Sequence, residues 1–223
     1  MLFFSLKHLC YCFNFVILKL IKRGNIMNLP NKLSLLRIFL IPFVMFFYLA
    51  DFIPYGIGKI VAIVIFIAAA LTDMLDGKIA RKHNLVTNLG KFLDPIADKI
   101  LTATVFFLIL ADGTLPAPYG VIIVTIIIAR EFMVSALRQL AANKGIVLAA
   151  DKWGKAKTFV QMIALPLCML LSYIYTCGFN TPNWLVLTMQ IVSFTFIGAA
   201  TLLTIVSGVN YLVKNKDCFK DNK

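Results

Sequence analysis

The strongest constraint on this chain is a recurrence of apolar runs, each close to the length of a membrane span, with most of the charge confined between them. A spanning helix needs roughly 20 predominantly apolar residues. Six such runs can be placed, at about 34–50, 58–77, 94–111, 119–140, 156–176 and 184–213. Charged residues make up 14% of the 223 and hydrophobic ones 61%, a balance that a water-soluble domain of this size would not carry. Alternating strand patterns of the membrane-barrel type are absent. The expected architecture is an all-α integral membrane protein with six transmembrane helices.

Basic residues set the orientation. Segment 78–93 carries Lys78, Arg81, Lys82 and Lys91, and segment 138–157 carries Arg138, Lys144, Lys152, Lys155 and Lys157. The tail carries Lys214, Lys216, Lys220 and Lys223. The alternate connections, 51–59, 112–118 and 177–183, contain one basic residue, Lys59. The positive-inside rule then puts both termini on the cytoplasmic side. Five or seven spans would break the alternation. Turn residues agree: Pro54, Gly56 and Gly58 interrupt the first outer connection, Gly113, Pro116, Pro118 and Gly120 the second, Gly178, Pro182 and Asn183 the third. Tyr55 and Trp184 fall near span boundaries, where interfacial aromatics belong.

The formal net charge is +12. Lys7, Lys19, Lys22 and Arg23 lie in the first 26 residues, which hold no acids, so 12 − 4 = +8 remains for the rest. Cytoplasmic loop charge accounts for the excess, and attraction of anionic lipid or substrate is compatible with it. No basic-aromatic surface module points to nucleic acid. Cys10, Cys12, Cys168, Cys177 and Cys218 show neither zinc-ligand spacing nor a disulfide framework. Heavy use of lysine, isoleucine and phenylalanine suits an AT-rich bacterial genome, and so a bacterial cytoplasmic membrane.

Residues 1–26 stand apart. The apolar run Leu9–Leu20 is broken by Asn14 and Lys19, is short for a span and lacks a small-residue cleavage site. Two readings remain: translation starting at Met27, which begins M-N-L-P-N-K-L-S, or a short amphipathic surface helix. The chain thus divides into an extension 1–26, a membrane domain 27–213 and a basic cytoplasmic tail 214–223.

Four of the ten acidic residues fall in one short stretch: Asp73, Asp76, Asp94 and Asp98. On helices, Asp73 and Asp76 are i and i+3, and Asp94 and Asp98 are i and i+4, so each pair shares a face. Gly77, Ala80 and Gly90 flank those faces with little or no side chain, which leaves room for a bulky ligand or a close helix neighbour. Pro95 directly follows Asp94, so a helix either starts there or is kinked there. Carboxylates at a membrane boundary are costly unless their charge is offset. They serve as a structural network, as the ion site of a cation transporter, or as ligands for Mg²⁺ or Mn²⁺ at a phosphate site. Two close metals clamp a phosphoryl transfer. Position at the cytoplasmic ends of two spans, interleaved with Gly77, Ala80, Arg81 and Gly90, favours the last.

The pattern D-x2-D-G-x2-A-R-x8-G-x3-D-x3-D, filled by Asp73, Asp76, Gly77, Ala80, Arg81, Gly90, Asp94 and Asp98, resembles the signature of the CDP-alcohol phosphatidyltransferases at every specified position. Further segments resemble the phosphatidylglycerophosphate synthase branch of that family: Pro30 to Arg37, with Ser34 where the branch has threonine; Leu85 to Lys99; Ala129 to Phe132, with Arg138 following; and Gly154 to Thr158. The similarity runs from Met27 to about Tyr211. It implies six-span membrane enzymes, usually homodimers, that use divalent metal to exchange the CMP of a CDP-linked lipid for an alcohol. The substrates implied are CDP-diacylglycerol and glycerol 3-phosphate, the products phosphatidylglycerophosphate and CMP. By the same resemblance two ions of Mg²⁺ or Mn²⁺ are held by Asp73, Asp76 and Asp94, with Asp98 as a ligand, the catalytic base, or both. Asn31, Arg37, Gly77, Ala80, Arg81 and Gly90 shape the CDP-lipid site.

Arginine usage adds an independent point. Only five of the 22 basic residues are arginine, namely Arg23, Arg37, Arg81, Arg130 and Arg138, and four of these lie in the segments just named. Lysine supplies the generic loop charge, so arginine marks positions where a planar fork for phosphate oxygens is useful. Arg130 and Arg138, about two helical turns apart, are candidates for the acceptor phosphate; Lys155 and Lys157 are weaker candidates, since loop solvation explains either, and of the two Lys155 is placed beside the arginines. Glu131, the one glutamate, is expected to pair with a nearby arginine. His83 reads as solvated, and no Ser–His or Cys–His pair suggests a covalent intermediate. Rival acceptors are phosphatidylglycerol, serine and inositol phosphate. The rival class is a cation transporter built on the four aspartates.

Overall fold

The protein is seen in a computed structural model that describes residues 29–50, 53–82, 88–143, 152–177 and 182–214. The extension 1–26, Met27 as a start, His83 and the tail beyond Lys214 lie outside the described residues. Among the described residues all regular structure is helical: α1 (Leu29–Tyr48), a short 3₁₀ turn (Pro54–Gly56), α2 (Ile57–Lys82), α3 (Asn88–Ala111), α4 (Tyr119–Asn143), α5 (Lys152–Cys177) and α6 (Asn183–Lys214). Pro54, Gly56, Gly113, Pro116, Pro118 and Pro182 fall between the α-helices, as proline and glycine withhold either the N–H or the helical backbone preference, but Gly58, Gly120 and Asn183, expected in the connections, lie in the first turns of α2, α4 and α6.

One boundary settles an open alternative. α3 begins at Asn88, so Pro95 sits inside the helix and the alternative of a helix starting at Pro95 is discarded. Pro42 and Pro166 are likewise internal, in α1 and α5. Internal proline removes one backbone hydrogen bond, which neighbouring groups in membrane helices re-satisfy. Lys99 Nζ donates to the Pro95 carbonyl at 3.2 Å.

The chain divides into two compact units, residues 1–108 and 109–223. In the first, α1 and α2 pack together. Gly58 permits their close approach: a Cβ there would stand 2.4 Å from the Phe47 carbonyl oxygen. Val44, Ala62, Phe66 and Ala69 are buried, the alanines being small enough for backbones to draw near. Lys59 places its ammonium over the Tyr48 ring, 5.1 Å from the centroid.

In the second unit α6 packs against both α4 and α5. Ile127, Leu165, Met169, Leu171 and Ile197 are buried. Asp112 ties the connection before α4 to α5. Its Oδ1 accepts from the Thr114 backbone N–H at 3.0 Å and hydroxyl at 2.6 Å, and its Oδ2 accepts from the Ser172 hydroxyl.

Among the described residues three helices are long and apolar enough to cross a membrane, over Tyr119–Gln139, Trp153–Thr176 and Asn183–Lys214. Shorter apolar helical segments cover Leu33–Tyr48 and Ile57–Thr72. Val64, Phe107, Phe159, Leu202 and Val213 point outward, exposed. Water would penalise such a surface, whereas lipid is its natural solvent. The protein is therefore an integral membrane protein whose described residues are helical in all their regular structure.

Candidate functional site

In the first unit, the last turns of α2 carry Asp73, Asp76, Gly77, Ala80 and Arg81, and the first turn of α3 carries Gly90. Asn31 lies in the first turn of α1. Their side chains lie outside the described residues. The described part of the aspartate set is on α3. Asp94 is exposed and accepts a hydrogen bond from the hydroxyl of Ser34 on α1, itself buried. Asp98, one turn on, is half-buried, and its carbonyl accepts from the Thr102 hydroxyl at 3.1 Å. Arg37 is 2% exposed and follows Ser34 by three residues, so both sit on the buried face of α1.

Ser34 was not among the expected site residues. It binds an aspartate that the motif does specify. Asp94 and Asp98 offer hard oxygen donors a helical turn apart, a donor set that fits Mg²⁺ or Mn²⁺. Among the described residues no three histidine, cysteine or carboxylate side chains converge. The expected partners Asp73 and Asp76 lie outside the described side chains.

The second unit gathers a different set. Arg130 of α4 turns to α6, where its Nη2 donates to Ser207 Oγ at 2.6 Å. Gly208 makes that approach possible, since a Cβ there would lie 3.1 Å from Arg130 Cγ. Two turns along α4, the exposed Arg138 stacks on the buried Tyr211 ring of α6, 5.4 Å from its centroid. Both arginines thus meet one face of α6, at positions four residues apart.

Glu131 does not pair with an arginine, as expected, but forms an ion pair with Lys157 of α5. Helical geometry gives the reason. Residues 130 and 131 are about 100° apart around α4, so Arg130 reaches α6 while Glu131 reaches α5. The two side chains of the pair are 3% and 13% exposed, Lys157 being the deeper. Lys155 is exposed. Gly154 leaves space on α5, with Arg130 Nη2 3.8 Å from where its Cβ would be.

Arg130, Arg138 and Lys157 against Glu131 leave 3 − 1 = +2 formal charges on this cluster. Charge held inside a helical membrane bundle, as on Lys157 and Glu131, is expensive and marks function by default. A phosphate monoester carries about −1.5 to −2 near neutral pH. The cluster and such a group are complementary in sign and size of charge.

The family model for CDP-alcohol phosphatidyltransferase matches residues 27–206. The chain is 39% identical over 208 residues to a Bacillus subtilis protein named CDP-diacylglycerol–glycerol-3-phosphate 3-phosphatidyltransferase, covering 86% of this chain and 97% of that protein. A Rickettsia felis protein of the same name is 35% identical over 192 residues, with 86% and 97% covered. One from Haemophilus influenzae, also so named, is 35% identical over 202 residues, with 87% and 97% covered.

Proposed function

This chain belongs to the CDP-alcohol phosphatidyltransferase family, and from that premise we propose that it transfers the phosphatidyl group of CDP-diacylglycerol to glycerol 3-phosphate, giving phosphatidylglycerophosphate and CMP in phospholipid biosynthesis. The observation that carries this reading is the continuity of the similarity. It covers residues 27–206, so it includes the aspartate motif and the segments that bear Arg130, Arg138 and Lys157 alike.

Asp73, Asp76, Asp94 and Asp98 would hold Mg²⁺ or Mn²⁺, two ions in the proposed state. When bound, the metal neutralises diphosphate charge and that of the departing CMP. Asp98 takes the proton of the acceptor's attacking hydroxyl, as a carboxylate within hydrogen-bond reach does in general base catalysis. Ser34 donates to Asp94 and so holds that carboxylate in one orientation. Arg37 and Arg81, with Asn31, Gly77, Ala80 and Gly90, bind the CDP-lipid. Arg130, Arg138 and Lys157 bind the acceptor phosphate, with Lys155 at the exposed edge. Fork-shaped guanidinium groups match phosphate oxygens in pairs, and Ser207 and Tyr211 fix the two arginines before ligand arrives.

The membrane arrangement proposed is six spans with both termini and the aspartates cytoplasmic, in a homodimer, with the active site open to the cytoplasm of a bacterium. Support comes from the helix limits, which leave the basic segments 78–93 and 138–157 at alternate helix ends. The domain proposed spans 27–213, with a basic tail beyond and the extension 1–26 before it.

The test is CMP release by the protein purified in detergent, with CDP-diacylglycerol, Mg²⁺ or Mn²⁺ and a panel of acceptors. Release with glycerol 3-phosphate alone is the expected result. Release only with phosphatidylglycerol, serine or inositol phosphate would overturn the acceptor, and ion flux without CMP release would overturn the reaction.

A further inference from the structure

One buried polar side chain in the second unit has no part in the site described so far. Gln161 of α5 is 2% exposed, and neither its Nε2 nor its Oε1 has a hydrogen-bond partner among the described residues. Burying an amide without partners costs several kcal/mol in the worst case, and native structures hold few such groups. A leucine or methionine would fill the same volume in an apolar span without that penalty. Among the described residues the fold gives this carboxamide no partner to justify its burial.

Its position says where such a partner would lie. Gly154, Lys157 and Gln161 are spaced by three and four residues, so they form one stripe along α5. The first two members of that stripe face α4: Arg130 Nη2 lies 3.8 Å from the Cβ position of Gly154, and Lys157 pairs with Glu131. Gln161 is the next step along it, one turn, or about 6 Å, deeper than the ion pair. Arg130 also keeps one buried nitrogen, Nε, without a partner among the described residues.

The chemistry of an amide narrows the ligand. A phosphate oxygen only accepts, so it would satisfy Nε2 and leave Oε1 without a donor. A hydroxyl both donates and accepts, and so suits both ends of a carboxamide. The stripe thus offers cations at one end and a hydroxyl partner a turn away.

We propose that Gln161 is a specificity-determining residue that hydrogen-bonds the non-reacting hydroxyl of a polyol phosphate acceptor whose phosphate rests on the Arg130–Arg138–Lys157 cluster. This rests on the reaction proposed above. It assigns the residue that tells glycerol 3-phosphate from a phosphate monoester lacking the middle hydroxyl. A buried amide kept for ligand rather than for packing also trades stability for selectivity.

The test compares glycerol 3-phosphate with 3-hydroxypropyl phosphate, which keeps the attacking primary hydroxyl and the phosphate and lacks the secondary hydroxyl. In the wild-type protein the ratio of kcat/KM values should favour glycerol 3-phosphate by roughly 10- to 100-fold, the discrimination expected when a buried polar group loses its partner. In Gln161→Leu and Gln161→Met the ratio should fall to within about threefold, while CMP is still released and Tm is unchanged or raised. Parallel losses with both acceptors would make Gln161 a structural residue and overturn the assignment. A wild-type ratio retained in both variants would overturn it too. Absence of CMP release from folded wild-type protein with any acceptor would overturn the reaction itself and this assignment with it. In the first two outcomes the wild-type enzyme is active, so the two failures are told apart.

Discussion

The aspartates of α3 and the cation cluster of α4 to α6 hold their charged side chains in opposite ways. On α3, Asp94 is exposed and takes one hydrogen bond from a neutral hydroxyl, that of Ser34. On α4 to α6, Arg130 is fixed by Ser207, Arg138 by Tyr211, and Lys157 by Glu131. Carboxylates meant for a cation gain from staying open, because each internal partner competes with the metal. Cations meant for a phosphate gain from being braced, because ordering three long side chains at the moment of binding would cost rotamer entropy. On the function proposed above, the contrast would separate two duties: the aspartate region for the chemistry and the braced cations for the acceptor.

That division can be broken most severely at Asp98. Asp98→Asn should lower turnover by about 10²- to 10⁴-fold, the range for loss of a general base, while CDP-diacylglycerol binding is retained. Full activity in this variant would remove Asp98 from proton transfer.

The braced side is probed next. Lys157→Ala strands Glu131 in a largely buried position, and breaking such a pair typically destabilises by about 3–5 kcal/mol. The double change Lys157→Met with Glu131→Leu should recover most of that stability in detergent melts and still leave the acceptor's KM raised. Recovery of both stability and KM would make the pair structural only.

Arg138→Ala is milder, because Arg138 is exposed and leaves no stranded partner. Losing one charge-assisted contact, about 1.5–3 kcal/mol, should raise the KM for glycerol 3-phosphate by roughly 10-fold or more and that for CDP-diacylglycerol little. Equal rises for both substrates would blur the division of duties.

The smallest effect is expected at Ser34. Ser34→Ala removes one hydrogen bond, on the order of 1 kcal/mol, so kcat should drop by about fivefold and the apparent metal requirement should shift to higher concentration. Ser34→Thr should restore both. An unchanged metal requirement in the alanine variant would show that Asp94 needs no orientation by Ser34.

Helix limits beside the Pro- and Gly-rich connections were legible in the sequence because those residues mark chain reversals. The start of α3 was less so. Gly90 and Lys91 read as loop, and Pro95 offered a plausible first turn, yet the helix begins at Asn88. The choice between Lys155 and Lys157 could not be read at all. Two residues apart is about 200° around a helix, so one must point away from any neighbour that the other faces. Only the ion pair with Glu131 of α4 selects Lys157 as the buried one. Glu131 was assigned to arginine by chemistry alone, and the direction of α5 decided for lysine instead. Gln161 left a signal that motif matching passes over, a carboxamide among apolar residues of a span.

The most direct test of the division of duties is equilibrium binding of radiolabelled glycerol 3-phosphate to purified Asp98→Asn and Arg138→Ala proteins. The account predicts near wild-type affinity in Asp98→Asn and affinity reduced about 10-fold or more in Arg138→Ala. Loss of binding in Asp98→Asn with full binding in Arg138→Ala would contradict it, because the acceptor would then be held by the aspartate region and not by the braced cations.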